Sequence, residues 1–244
     1  MQAVIPMAGR GSRFVKAGYK IPKYMIKVKQ KTLFEYSVQS LPNSIIDKYI
    51  FVVLEDHILK YNLIDFIYEK MKPYDKKEIL IVKLKEVTRG QAETVFMARD
   101  VIDKTDDLII YNIDTYFVSS TLEEKLVSKH LKRDGVIGAF KLNVIEDKWS
   151  FAEVDDNDNV IRTTEKEVIS NIALTGFYHF TKASDFLDVA EEKIRKNELY
   201  KGEFYVAPLY NDLIKLGKKF VLDFVDKIIP LGTPEDLRRA EYEL

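Results

Sequence analysis

The chain has 244 residues, 38 of them lysine or arginine and 39 aspartate or glutamate, for a formal net charge of −1; interspersed charge of this kind lacks the one-signed field of a general nucleic-acid or membrane-surface binder. It has no cysteine, which excludes a disulfide framework, a thiolate nucleophile and cysteine metal ligands, and suits a reducing compartment. No stretch approaches the ~20 apolar residues of a membrane span, the opening apolar run is too short for a signal peptide, and a chain of this length buries its own core; we expect a soluble, cytoplasmic protein with one domain over residues 1–244 and no nucleic-acid or membrane partner.

The first apolar run, residues 3–7, leads into Ala8-Gly9-Arg10-Gly11-Ser12-Arg13, and Pro22-Lys23 follows further on. Glycines let backbone N–H groups approach phosphate oxygens with no Cβ in the way, and nearby cations neutralise the remaining charge. Ala8, Gly9, Gly11, Ser12, Arg13 and Lys23 therefore form a candidate polyphosphate site. Two better-known phosphate loops are excluded by their own chemistry. A P-loop needs Gly-Lys-Ser/Thr at a helix start, and Gly11 is followed by Ser12-Arg13. A dinucleotide fingerprint needs a third glycine, and Phe14 stands there.

Apolar runs at 49–54, 78–84 and 108–112 read as further buried parallel strands, separated by helical segments at 32–40, 57–71 and 91–102. The alternation predicts a doubly wound α/β sheet with ligands at the carboxyl ends of its strands. The third strand leads to Thr88-Arg89-Gly90-Gln91, a helix start capped by Thr88 or Gly90. A glycine there also lets backbone groups reach a base edge, and the Gln91 amide carries both a donor and an acceptor. The fourth strand ends in Asn112-Ile113-Asp114. Magnesium takes hard oxygen ligands, usually one or two carboxylates plus substrate phosphates, so Asp114 is the candidate metal ligand.

Beyond residue 120 the pattern changes to shorter strands at 136–142, 151–154, 160–163 and 173–180, with a tight turn at 155–159, and predicts an antiparallel extension of the sheet. Helices follow at 182–196 and 204–216. The last helix is announced by Gly232-Thr233-Pro234-Glu235-Asp236, where Thr233 caps, Pro234 fills the first turn and Asp236 closes a capping box. His57, His130 and His179 have no ligand spacing and read as structural or surface residues. The chain divides into two halves of one domain, 1–120 and 121–244, with the candidate polyphosphate loop in the first.

The order strand, Gly-x-Gly-x-Arg, Pro-Lys resembles the N-terminal signature of the sugar-phosphate nucleotidyltransferases, or nucleoside-diphosphate-sugar pyrophosphorylases. Trp149-Ser150-Phe151, Glu165-Lys166, Thr175-Gly176, Gly202-Glu203-Phe204-Tyr205 and Gly232-Thr233-Pro234-Glu235-Asp236-Leu237 extend the match over residues 3–237. The resemblance implies that Arg13 and Lys23 are catalytic, holding a nucleoside triphosphate and stabilising charge at its α-phosphorus, and that Gly90 and Gln91 contact the base. It implies an acceptor wall in which Ser150 takes part, Glu165 binds sugar hydroxyls, Lys166 binds the sugar phosphate and Gly176 makes room for the ring. Asp114 matches the family's first metal aspartate, for Mg2+. A second aspartate often precedes the final Gly-Thr by two residues, but Pro230 is there; Asp226 or Asp223 from a shifted position, or Asp114 with phosphates alone, are the alternatives.

The function implied is magnesium-dependent transfer of a nucleoside monophosphate to a sugar phosphate, with pyrophosphate released and an activated sugar nucleotide formed for surface polysaccharide synthesis. Two competitors stay open. One is cytidylyl transfer to a phosphocholine-like phosphoester, and the other is a non-catalytic nucleotide sensor, which Pro230 favours and the joint presence of Arg13, Lys23, Asp114 and Lys166 opposes. A glycosyltransferase is disfavoured by Pro22-Lys23 and by the lack of a complete Asp-x-Asp. The base, the acceptor and the oligomeric state are not legible at this level.

Overall fold

The computed structural model describes residues 1–128 and 132–244; His130 lies outside them. Its central element is a mixed sheet with strand order β10-β9-β11-β6-β1-β4-β5, joined by β8 beside β11 and β12 beside β8. The strands β1 (Gln2–Pro6), β4 (Lys48–Leu54), β5 (Glu78–Leu84) and β6 (Leu108–Tyr111) run parallel. β11 (Ile172–Phe180) enters antiparallel to β6, to β8 (Gly135–Lys141) and to β9 (Ser150–Val154), which forms a hairpin with β10 (Val160–Glu165). β12 (Phe220–Phe224) closes this edge parallel to β8. The parallel half and its antiparallel extension are those expected from the sequence.

Alternation along the central strands divides the core between two faces. Val4, Ile50, Val52 and Leu54 face one side, packed beneath α5 (Gln91–Phe96), α7 (Ala183–Lys196) and α8 (Tyr210–Lys215). Ala3, Ile5, Tyr49, Phe51 and Val53 face the other, beneath α2 (Leu33–Gln39), α4 (Leu63–Met71) and α6 (Leu122–Val127). A period of two puts successive side chains on opposite faces, so unbroken apolar runs need helices on both. The sheet is accordingly doubly wound.

Several boundaries differ from the sequence reading. The helix expected over 57–71 is two, α3 (Glu55–Tyr61) and α4, because Asn62 adopts φ +49° between them, a conformation asparagine enters more cheaply than most residues. The helix expected from 204 starts later, as a 3-10 turn at Ala207–Leu209 leading into α8. Phe204 is held elsewhere: its N–H donates to the Arg89 carbonyl at 3.0 Å and its carbonyl accepts from Ala92 N–H at 2.9 Å. The short α1 (Ser12–Lys16), the small pair β2 (Lys27–Val28) and β3 (Lys31–Thr32), and the ribbon of β7 (Thr115–Val118) with β13 (Lys227–Pro230) were not anticipated either.

Two helix starts share a Thr-x-x-acid pattern and differ in outcome. At α2, Thr32 Oγ1 accepts from Glu35 N–H and Glu35 Oε2 accepts in return from Thr32 N–H at 2.8 Å, a complete capping box. At α9 (Pro234–Glu243), Thr233 Oγ1 accepts from Asp236 N–H at 3.0 Å. Among the described residues no bond returns from the Asp236 carboxylate, so the box expected there is half formed. The shorter aspartate side chain turns toward the cavity instead.

Candidate active site

A cavity of about 800 Å3 opens along the carboxyl ends of β1, β5 and β6 and continues across β9, β10 and β11 to the start of α9. Strand ends collect ligand sites because the chain there turns away from the sheet and frees loop backbone. Ala8, Gly9, Arg13, Lys23, Gly90, Gln91, Asp114, Ser150, Glu165, Lys166 and Gly176 all line it. Residues far apart in the chain, read from separate motifs, thus share one space.

At the β1 end, Gly11 at φ +60° is the residue before α1 and lets the loop turn, with the Lys23 side chain packed against its missing side chain at 3.6 Å. Gly11 and Ser12 were expected to touch nucleotide, but neither lines the cavity. Gly11 shapes the turn, and Ser12 faces a second cavity of about 510 Å3 with Arg10, Lys16, Lys20, His57 and Lys60. Arg10 is also ion-paired with Asp56. Lys23 reaches inward, and its Nζ lies 2.7 Å from Asp114 Oδ2, both side chains about a quarter exposed (23% and 24%).

At the start of α5 the cavity wall is built around a close backbone approach. Gly90 has φ +154°, and a Cβ there would lie 2.4 Å from the Phe204 carbonyl oxygen, so the loop carrying Tyr205 packs directly on the start of α5. Gln91 Nε2 donates to Asn112 Oδ1. Asn112 in turn occupies the space beside Gly176, where a Cβ would lie 2.2 Å from its Nδ2. Gly176 lines the cavity, and the space beside its missing Cβ is filled by Asn112.

Where the cavity crosses the sheet extension, β10 ends with Glu165 buried (8% exposed) and Lys166 at φ +52°. Ser150 Oγ donates to Glu165 Oε2 and lies 3.3 Å from the Tyr178 hydroxyl. Burial pushes the Glu165 carboxyl up, against the Ser150 hydrogen bond and the Lys166 charge. The Lys166 ammonium donates to Tyr205 Oη at 2.6 Å, and Tyr205 donates onward to Glu203 at 2.7 Å. Glu146, Lys148 and Trp149 complete this wall.

The second metal aspartate is not where it was sought. Asp223 is fully buried and bound by Ser119 Oγ, Thr121 Oγ1 and Lys125 Nζ. Asp226 accepts from Ser120 N–H beside Val118, at the far end of the β7–β13 ribbon from Asp114. Neither lines the cavity, and both are spent on loop structure. Asp236 lies near Asp114: a Cβ on Gly232 would lie 3.4 Å from Asp114 Oδ2 and 3.9 Å from Asp236 Oδ2. Among the described residues no three acids or histidines converge in a metal-holding group, so a cation here would complete its coordination with water or substrate oxygens.

The two described histidines, His57 and His179, do not line this cavity. His57 Nδ1 is 2.8 Å from the Tyr24 hydroxyl, and His179 is fully buried with Nε2 2.8 Å from Asp107. Among the described residues no helix is long and apolar enough to cross a membrane.

The family model described as nucleotidyl transferase matches residues 2–238. The chain belongs to the nucleotidyl transferase family. A solved relative, the nucleoside-diphosphate-sugar pyrophosphorylase from Vibrio cholerae RC9, shares 34% identity and superposes with a TM-score of 0.82 over 99% of this chain and 100% of that one. The bifunctional protein GlmU of Methanococcus vannielii is 26% identical over 248 residues, 98% of this chain and 54% of that protein. The chain thus spans about half the length of the curated relatives it matches. A UDP-glucose pyrophosphorylase solved with UDP-glucose shares the fold at a TM-score of 0.80 and 18% identity, over 99% of this chain and 97% of that one. In this member of the family Arg13, Lys23, Asp114 and Lys166 line one cavity.

Proposed function

We propose that this nucleotidyltransferase moves a nucleoside monophosphate from a nucleoside triphosphate to a sugar phosphate, releasing pyrophosphate and forming an activated sugar nucleotide. The observation that carries the reading is the presence in one cavity of cations from separate parts of the chain, Arg13 and Lys23 from the first half and Lys166 from the second. Two anions that must meet need such neutralisation, because their mutual repulsion is the main obstacle to bringing them in line.

An oxygen of the acceptor phosphate attacks the α-phosphorus, the bond from that phosphorus to the oxygen bridging toward the β-phosphate breaks, and the electron pair leaves with pyrophosphate. A phosphate monoester has a second pKa of about 6, so the nucleophile is already anionic near neutrality and needs no general base. This agrees with the engagement of His57 and His179 away from the cavity. Arg13 and Lys23 hold the triphosphate, Gly90 and Gln91 meet the base, and Lys166 holds the acceptor phosphate beside Ser150 and Glu165. Mg2+, with Asp114 as its ligand, supplies further charge neutralisation when bound. The sugar nucleotide would serve glycosyl transfer, as in surface polysaccharide synthesis.

A second reading has its own observation. Lys148 and Lys166 sit 5.0 and 4.9 Å from the ring centroids of Trp149 and Tyr205, and Glu146, Glu165 and Glu203 line the same wall. Aromatic faces with carboxylates also suit a cationic alcohol, as in a phosphocholine-like acceptor.

The test is pyrophosphate release from each of the four ribonucleoside triphosphates and deoxythymidine triphosphate, with magnesium, against sugar 1-phosphates and phosphocholine. Release that requires a sugar phosphate supports the first reading, and release that requires phosphocholine supports the second. Triphosphate binding without acceptor-dependent release from any pair identifies a sensor and overturns both.

A further inference from the structure

We infer that Asp236, on the first turn of α9, is the second carboxylate of the metal site. The inference rests on the magnesium-dependent reading above and concerns a position that capping alone was expected to explain. Four observations converge on it. The Thr233 cap fixes the Asp236 backbone through a 3.0 Å bond, while its carboxylate makes no return bond among the described residues and lines the cavity. Gly232, having no side chain, leaves a gap flanked by Asp114 Oδ2 and Asp236 Oδ2, at 3.4 and 3.9 Å from the point where a Cβ would lie. The same Asp114 oxygen already attracts a cation, the Lys23 ammonium at 2.7 Å. Finally, Asp223 and Asp226 are committed to Ser119, Thr121, Lys125 and Ser120.

The backbone makes the arrangement rigid. Leu231 N–H donates to the Asp114 carbonyl at 2.9 Å, and Pro230 pairs with Thr115 in the β7–β13 ribbon. The two carboxylates are thereby tied to one another through main chain, so Gly232 keeps them on either side of one small space. Two hard oxygens with room for substrate phosphates and water match what Mg2+ takes. Lys23 and a metal compete for Asp114 Oδ2, and the ammonium is then released toward the triphosphate.

The test uses the native chain and Mn2+ alone, followed by the loss of the free-ion electron paramagnetic resonance signal, which reads metal binding without turnover. Asp236→Asn and Asp114→Asn should each weaken uptake ~10-fold or more, since even outer partners of metal ligands cost that much. Asp226→Asn should bind as the native protein does. Lys23→Ala should bind Mn2+ more tightly, an effect a purely structural lysine would not produce. Thermal midpoints of the metal-free variants separate loss of fold from loss of ligand, and Asp236→Glu, which keeps the charge, should retain part of the uptake. Native-like Mn2+ binding by folded Asp236→Asn, or absence of Asp114-dependent uptake in the native chain, overturns the assignment. Pyrophosphate release by the native protein in either of those cases leaves the transfer reaction standing and removes only this metal site.

Discussion

Lys23 and Asp114, 91 positions apart, meet at 2.7 Å between Nζ and Oδ2. A cation and a carboxylate that line one cavity thus neutralise each other. Both are partly exposed, so the pair contributes about 1 kcal/mol or less to stability. Under the proposed reaction, triphosphate and metal would take over these two partners.

Lys23→Ala and Arg13→Ala should therefore lower turnover about a hundredfold or more, as the loss of one preorganised charge contact does, while the thermal midpoint moves by only ~2–4 °C. The check is steady-state pyrophosphate release beside thermal denaturation. Near-native turnover in either variant removes that residue from the triphosphate site.

Lys166→Ala should act on the acceptor. Its ammonium is held by Tyr205, and under the proposed reaction a cation at this wall would serve a second anion. The acceptor KM should rise several-fold, with triphosphate affinity by calorimetry unchanged. Equal loss of both would assign Lys166 to the nucleotide.

Gly176→Ala should disturb the nucleotide side through Asn112. The new Cβ would lie 2.2 Å from Asn112 Nδ2 at a backbone φ of +86°, and forced repacking of this kind costs about 1–3 kcal/mol. We expect a lower thermal midpoint and several-fold weaker triphosphate binding, because Asn112 holds Gln91. Native triphosphate affinity with a raised acceptor KM would assign Gly176 to the acceptor role alone.

The pH dependence of stability should carry the signature of Glu165. Burial holds its carboxyl above the ordinary value of 4.5, so in that window the folded state binds more protons than the unfolded one. The contribution of this group is then fullest below the unfolded value and declines as pH rises through the native one. The stability of Glu165→Gln relative to native should increase over this interval and level off above it. Paired denaturation curves at a series of pH values decide this, and a difference that does not vary with pH counts against it.

Short-range chemistry explains which elements were legible. The loop at Gly9 to Arg13, the doubly wound first half and the 155–159 hairpin each depend on a few adjacent residues, as when Asp155 Oδ1 accepts from the N–H groups of Asn157 and Asn159 at 2.9 Å. The misread elements depend on distant partners. Phe204 continues a helical apolar pattern, yet its backbone bonds to residues near Gly90, and β13 is a strand only because β7 lies beside it.

The family signature, the alternation that builds the sheet and the candidates Arg13, Lys23, Asp114, Glu165 and Lys166 are legible in the chain itself, because glycine turns, strand periods and charged side chains act locally. Where the remaining acids go depends on long-range packing. Asp223 and Asp226 were withdrawn into loop contacts, while Asp236, read as a helix cap, kept its carboxylate free beside Asp114. A carboxylate serves as a cap or as a ligand according to which N–H groups or cations lie within about 3 Å, and for residues 122 positions apart that distance is set by the packing of α9 and the β7–β13 ribbon.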